Sequence, residues 1–449
     1  MSVGNALSCC VLQKKFAFNI NNILGVNKVN KIAVAVSGGV DSVALLHLVL
    51  EWSRVNDIEV TVFSVDHNLR AESKLEISYI KKLSAQYGFH FVPLSWTCGD
   101  KITAIQERAR KARYELINEG CKRFGISLLL TAHHLDDMLE TYLIKKSKKS
   151  SDLALIPNIT YFQNNLWVVR PLFNVEKKEL IDYLLLNNIS WFEDESNKLD
   201  KYERNRVRKK LEVLSPEEKV TLLGEYNVSI DRAKWLNKIL IQAIAEVVSI
   251  YNYGFAKIGI TKFRDLEAEI KIHIINYVLT MVSGKTVLPR YRNVINIISS
   301  ISDNSFKSST LSHCKLIAKN GEIVIYKEKA FVGEDDNLER KDASGAAIPH
   351  CYISHWDNRF EIILDNPDYT VSNLAMDEYI CLKKHLNLKK LAKDSNNSHK
   401  SILFTLPIIK NLEKVVAIPH ISYYDSEILS GVIKVIFKPN FISRFTHFF

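Results

Sequence analysis

The sequence has little of what marks a secreted, zinc-stapled or membrane-embedded chain. Seven cysteines are spread over 449 residues with no Cys-x-x-Cys pair and no Cys/His cluster at zinc spacing. That excludes a disulfide framework and a structural zinc module, and leaves the adjacent Cys9 and Cys10 as plain thiols. No apolar run reaches the roughly 20 residues of a membrane span. The first residues also lack an apolar core followed by a small-residue cleavage site. A reducing cytoplasm and no membrane partner are expected. The common nucleotide loop GxxxxGK[ST] is absent too, and there is no internal repeat.

What is present is an ordinary globular composition, 47% hydrophobic and 24% charged, with a formal net charge of +10. Such an excess attracts polyanions, and nucleic acid is the natural candidate. The length allows two or three domains with ample core.

Lys31 to Ser42, KIAVAVSGGVDS, combines an apolar alternating run, a Ser-Gly-Gly-x-Asp-Ser turn and the start of an amphipathic helix. Ile32, Val34 and Val36 suit a buried parallel strand. Gly38 and Gly39 let the backbone approach a ligand closely. Ser37 and Ser42 offer hydroxyls, and the helix beginning near Asp41 turns its free N–H groups toward the turn. A polyanion fits there.

Further strands are expected at 58–67, 89–96, within ISLLLTAHH (126–134) and at 166–172, alternating with helices at 73–87, 105–125 and from Asn174, as N-cap, to about Asn188. This alternation predicts an α/β fold with a doubly wound, mostly parallel sheet over residues 1–214. Ligands bind such sheets beyond the carboxyl ends of the strands, where SGGVDS, Asp66-His67, His133-His134 and Arg170-Pro171 all fall. A small helical domain is expected over 215–314, opened by Ser215-Pro216-Glu217-Glu218. A β-containing C-terminal region follows over 315–449, with Asn320-Gly321 as a hairpin turn and Ser395 to Ser398 as an exposed polar loop.

Three clusters carry chemistry. In TAHHLDDMLET, Asp137 and Glu140 are three apart on one helix face, with His133 near the same edge. Beside a triphosphate these carboxylates need Mg²⁺ or a cationic substrate between them and it; the bland reading makes Asp136 an N-cap and Glu140 a surface acid. On the basic helix from Ile105, Arg110 and Arg113 share a face that can line the cleft, while Arg108 and Lys111 point elsewhere. After WFEDESN, the run from Tyr202 to Lys210 holds Arg204, Arg206 and Arg208, suited to a phosphate backbone, and Asn205, suited to a base or sugar.

The turn resembles the pyrophosphate loop of N-type ATP pyrophosphatases, the PP-loop superfamily. With VDHNLRAES, AIQERARKARY, LTAHHLDDMLET, RPL and EDESN before RNRVR, it stands in the order seen in tRNA(Ile)-lysidine synthetases. The resemblance covers Lys31 to about Lys210 strongly and the C-terminal half weakly. It implies that Ser37, Gly38, Gly39, Val40, Asp41 and Ser42 bind ATP, and that Asp41 positions Mg²⁺ or the nucleotide. It also implies ATP-dependent adenylation of carbon 2 of the first anticodon cytidine of isoleucine tRNA(CAU), followed by attack of free L-lysine. Asp137 and Glu140 would hold the charged groups of lysine, with one carboxylate or His133 taking its proton. Arg110 or Arg113 would meet the lysine carboxylate or the α-phosphate. Arg204, Asn205, Arg206 and the C-terminal domains would contact tRNA, and a homodimer is an allowed assembly.

The chain departs from that pattern where Lys148 to Ser151 lacks glycine and where Glu195 replaces a proline. Thiolation enzymes and glutamine-dependent amidases share the turn. They would need a reactive cysteine set or an amidotransferase domain, neither of which the sequence signals. A non-catalytic tRNA binder would be expected to have lost SGGxDS or the Asp137/Glu140 pair.

Overall fold

The computed structural model describes residues 3–25, 29–66, 73–96, 105–147, 157–162, 166–193, 203–285, 287–331, 341–342, 352–364, 366, 368–425 and 433–439. His67, the 148–151 segment, Glu195 and Tyr202 lie outside them. The chain divides into two units, Met1–Lys234 and Trp235–Phe449.

The first unit begins with helix α1 (Val3–Leu24), followed by β1 (Lys31–Ala35), α2 (Val40–Asn56), β2 (Glu59–Asp66), α3 (Ser73–Tyr87), β3 (His90–Ser95) and α4 (Ile105–Arg123). Then come β4 (Leu128–Leu130), α5 (Leu135–Ser147), β5 (Ile159–Phe162), β6 (Leu166–Val169), α6 (Lys177–Leu186), α7 (Glu203–Glu212) and α8 (Pro216–Val247), whose residues from Trp235 onward are counted in the second unit. The sheet order is β3-β2-β1-β4-β6-β5, all parallel except β5, which pairs antiparallel with β6 at the edge. The doubly wound α/β expectation holds.

Alternate residues of β1 serve opposite faces, as strand geometry requires. Ile32 and Val34 join a core with α1, α2, α3 and α6. Ala33 joins a second core with Phe63 of β2 and with Ile117 and Cys121 of α4. There α4 passes so close that a Cβ on Gly120 would lie 2.4 Å from the Phe63 ring. The hydrophobic driving force therefore acts on both sides of the sheet, leaving only the strand ends for polar chemistry.

Two local readings need correction. Helix α6 starts after Glu176, whose N–H donates to Glu179 at 2.8 Å. Asn174 is not its cap and instead meets the Asn19 amide of α1 at 2.7 Å. The boundary at residue 214 also cuts through packed structure, because Leu222 and Tyr226 of α8 share a core with Met138, Leu139 and Tyr142 of α5. Helix α8 does start as expected, with Ser215 and Glu218 bonding each other's backbone N–H at 2.8 and 3.2 Å.

The second unit contains a sheet within the region read as helical. Strands β7 (Val248–Tyr251) and β8 (Phe255–Gly259) pair with β9 (Ser308–Leu311), β10 (Cys314–Lys319) and β11 (Glu322–Lys327) in the order β7-β8-β11-β10-β9. They pack on α10 (Ala268–Ser283) and α11 (Tyr291–Ser302), with the short α9 (Ile260–Asp265) between. The expected division at 314/315 thus falls inside one sheet. Asn320 and Gly321 form the β10–β11 turn with φ of 53° and 74°, the left-handed pair such a hairpin needs.

Two four-stranded antiparallel sheets complete the unit. Their core includes Trp356, Phe360, Ile408 and Ala417 together with Phe255 and Tyr326. Asp357 is shared by the buried Lys327 and Arg359. The 395–398 loop is not simply exposed. Ser395 is buried, and Asn396 bonds Lys257 at 3.1 Å and Glu322 at 2.9 Å.

Candidate active site

The turn after β1 is held from inside and outside. The Ser37 N–H donates to the Ser42 hydroxyl at 3.1 Å, and that hydroxyl donates to the Gly39 carbonyl at 3.0 Å. The Phe192 N–H donates to the Gly38 carbonyl at 3.0 Å. Gly38 has a φ of +91°, which side-chain-bearing residues rarely adopt. Val40 begins α2, so the helix N-terminus opens toward the turn, with Asp41 in its first turn. Gly38→Ala is expected to cost about 1–2 kcal/mol through backbone strain alone, since its Cβ would meet Glu76 at an ordinary 3.5 Å. It should also weaken nucleotide binding; unchanged denaturant midpoints and ATP affinity would contradict this.

The β4 end contributes two adjacent histidines of opposite character. His134 is 2% exposed; its Nε2 lies 3.5 Å from Asp41 and 3.6 Å from Asp137, and its Nδ1 lies 3.4 Å from Asp136. Burial opposes its charge, but Asp136, Asp41 and Asp137 outweigh it and push the imidazole up to about 10. His133, whose Nδ1 is 3.1 Å from the Thr131 hydroxyl, is held well below its ordinary value by burial and then by Arg170, Arg110 and Arg204. At neutral pH one ring is a cation and its neighbour is neutral.

Helix α5 explains the acids. Asp137 accepts the His134 backbone N–H at 3.2 Å, closing the helix start. Asp136 accepts the Lys177 N–H at 2.8 Å, so it caps α6 rather than its own helix. Burial opposes the ionised form of Asp136, yet His134 and the Lys177 N–H hold its carboxyl below the usual range. Glu140 is no surface acid. It is 2% exposed and takes Arg204 Nε at 2.7 Å and Arg208 Nε at 2.5 Å. Asp137 lies 3.4 Å from Arg204 and 3.7 Å from Arg208. The i,i+3 acids of α5 thus meet the i,i+4 arginines of α7, a charge-assisted arrangement.

This pairing redistributes the residues named from sequence. Arg204 faces the acids, whereas Arg206, on the opposite side of α7, is exposed, and Asn205 is buried. Arg110 and Arg113 are exposed on α4, and Arg110 is close enough to act on His133 and Arg170. Sequence reasoning placed His134 and Arg170 at strand ends without a role, read Asp136 only as an N-cap of its own helix and Arg208 only as a phosphate-backbone contact, and missed what each of them meets. The spacing of Arg204 and Arg208 was the available signal for the last.

One carboxylate oxygen of Asp41 is buried and without a hydrogen-bond partner. That oxygen, Oδ1, faces His134 Nε2 at 3.5 Å, and a carboxylate beside a phosphate-sized turn fits Mg²⁺, which is commonly held by one or two carboxylates plus substrate phosphates. Among the described residues no helix is long and apolar enough to cross a membrane.

A PP-loop domain is matched over residues 12–214. The tRNA(Ile)-lysidine synthase of Rickettsia akari (strain Hartford) is 41% identical over 441 residues, 98% of this chain and 100% of the relative. That of Rickettsia typhi (strain ATCC VR-144 / Wilmington) is 40% identical over 444 residues, with the same coverage. Among solved structures, the U34-tRNA thiolase NcsA from Methanococcus maripaludis, with its [4Fe-4S] cluster, has a TM-score of 0.41 at 16% identity, covering 49% of this chain and 79% of that one. With a PP-loop turn at the head of its sheet and end-to-end similarity at this level, the chain belongs to the tRNA(Ile)-lysidine synthase family.

Proposed function

We propose that the chain ligates L-lysine to carbon 2 of the first anticodon cytidine of isoleucine tRNA(CAU), using ATP. The observation that carries this reading is the His134 bridge, which joins Asp41 of the phosphate turn to Asp137 of α5 and supports a nucleotide site and an amine site in one cleft.

The cytidine carbonyl oxygen attacks the α-phosphorus, and the bond to the β-phosphate oxygen breaks to release pyrophosphate. The lysine ε-amine then bonds to carbon 2, the C–O bond breaks, AMP leaves, and one proton is lost. Adenylation is needed because an amide-like oxygen is otherwise a poor leaving group. Bound Mg²⁺ would offset the phosphate charge. The Ser37–Ser42 turn would hold the pyrophosphate end through backbone N–H groups, and Asp41 would hold the cation. Both acids face Arg204 and Arg208, but Asp137 is 14% exposed against 2% for Glu140 and its arginine contacts are longer, so it is the better placed to receive an ammonium. His133, neutral and one residue before His134, takes the proton; His134, already charged, can accept none.

In the second unit Lys383, Lys384, Lys389, Lys390, Lys393 and Lys400 are all exposed within eighteen positions, a surface suited to the tRNA backbone. The deciding experiment is ATP-dependent incorporation of labelled lysine into transcribed isoleucine tRNA(CAU), with methionine tRNA of the same anticodon alongside. Incorporation into the isoleucine tRNA alone is expected. Binding of tRNA without incorporation would leave a non-catalytic binder.

A further inference from the structure

The buried charges of the described residues are balanced by opposite charges with one exception. Lys257 meets Glu322, Lys327 and Arg359 meet Asp357, Glu140 meets Arg204 and Arg208, and His134 meets three aspartates. Arg170, at the carboxyl end of β6, is 5% exposed and has no such partner. Its Nη1 donates to the Pro157 carbonyl at 2.7 Å and to the Thr160 hydroxyl at 2.9 Å, the guanidinium also bonds the Tyr114 phenol, none of them a carboxylate, and its Nε is buried without a hydrogen-bond partner. Removing a guanidinium from water without a carboxylate beside it costs folding free energy that a hydrogen-bonded strut does not need. A leucine would pack there more cheaply.

We propose that Arg170 is the buried oxyanion anchor of the cleft, left without a protein carboxylate because a substrate brings one. The favoured oxyanion is the α-carboxylate of the amino-acid substrate. In the order β1-β4-β6, Arg170 lies two strands, roughly 10 Å, from the phosphate turn, too far for the pyrophosphate held there. The β4 end lies between, with His133 and the α5 acids, so an amino acid with its ammonium near Asp137 can extend its other end toward β6. Arg110 adds a second positive charge on that side. The cleft is thus polarised as a zwitterionic substrate is. A bound anion would also relieve the positive field on His133 and make that ring a better base in the loaded cleft.

The inference rests on the lysidine-forming reading above, and the test separates the two. Wild-type enzyme is assayed with lysine and with lysinamide, which lacks the carboxylate, and ATP use is followed by pyrophosphate exchange. Wild-type enzyme should prefer lysine by about tenfold or more in KM. In Arg170→Gln, lysine should fall to the lysinamide level while the KM for ATP stays unchanged, and Arg170→Lys should recover part of the difference. A raised KM for ATP with selectivity kept would also support an oxyanion anchor, with a phosphoryl group as its ligand. Unchanged selectivity and unchanged KM for ATP, with only a lower melting temperature, would reduce Arg170 to a strut and overturn the proposal. If Arg170→Gln does not fold, the wild-type His133 ring signal decides the matter. It should move with lysine and not with lysinamide, and equal movement overturns the anchor. Absence of wild-type incorporation removes the reading of the enzyme itself.

Discussion

Replacing Asp41 with alanine is expected to lower lysine incorporation on the order of 10³-fold, the scale of losing several kcal/mol of charge stabilisation on a transferring phosphoryl group. The carboxylate stands in the first turn of α2, where the helix favours an anion, and its Oδ1 is buried with the His134 imidazole at 3.5 Å. Beside a pyrophosphate it would be repulsive unless a cation lies between them. Asp41→Asn keeps the size and removes the charge, so it should lose nearly as much and should need more Mg²⁺ for its residual activity. Activity within threefold of wild type in Asp41→Asn would show that the charge is not what the turn requires. Because Asp41 is also one of three acids around His134, both variants should lower the pKa of that imidazole, which a histidine NMR titration reads separately from catalysis.

Raising the pH should weaken the first unit, through His134. Its pKa is about 10 in the folded protein against an ordinary 6.5. A raised pKa means that the stabilisation is complete below 6.5 and is lost as the pH climbs toward 10. Each tenfold gain in proton affinity on folding corresponds to about 1.4 kcal/mol, of which mutual repulsion relieved among the three aspartates is part. In nucleotide-free, chelator-treated protein the melting temperature of the first unit should fall by roughly 5–10 °C between pH 6.5 and 10. His134→Gln should start lower and fall less, and parallel curves for the two proteins would refute the assignment. His133 acts on the other limb. Its depressed pKa gives stability that is present above 6.5 and lost as the pH falls through its lower folded value. Two neighbouring rings therefore narrow the pH range from opposite sides.

The first sheet was legible because its strands are apolar, alternate with helices and end in recognisable turns. Strand β5 was not, because four residues of edge strand carry too little pattern, and its antiparallel direction is set by pairing with β6. Strands β7 and β8 were absorbed into a helical reading, although Asn252-Tyr253-Gly254 between two apolar runs is a turn signal. In the site, the acid face of α5 and the phosphate turn could be read locally. That Glu140 is buried under Arg204 and Arg208 could not, since the partners are 64 and 68 positions apart. Nor does local sequence tell His133 from His134. Their opposite protonation comes from arginines on one side and aspartates on the other, brought in by five separate elements.

The bond from the Phe192 N–H to the Gly38 carbonyl also sets a schedule. The turn is among the first parts of the sheet to be translated, and the residue that fastens it comes 154 positions later. At roughly 5–20 residues per second, the ribosome needs about 8–30 s to reach it. Strand β6, which completes the parallel row, is likewise made long after β1. The growing chain thus carries its nucleotide motif for most of that interval without the frame that shapes it, and ATP becomes a ligand of the finished unit instead of a guide for its early folding.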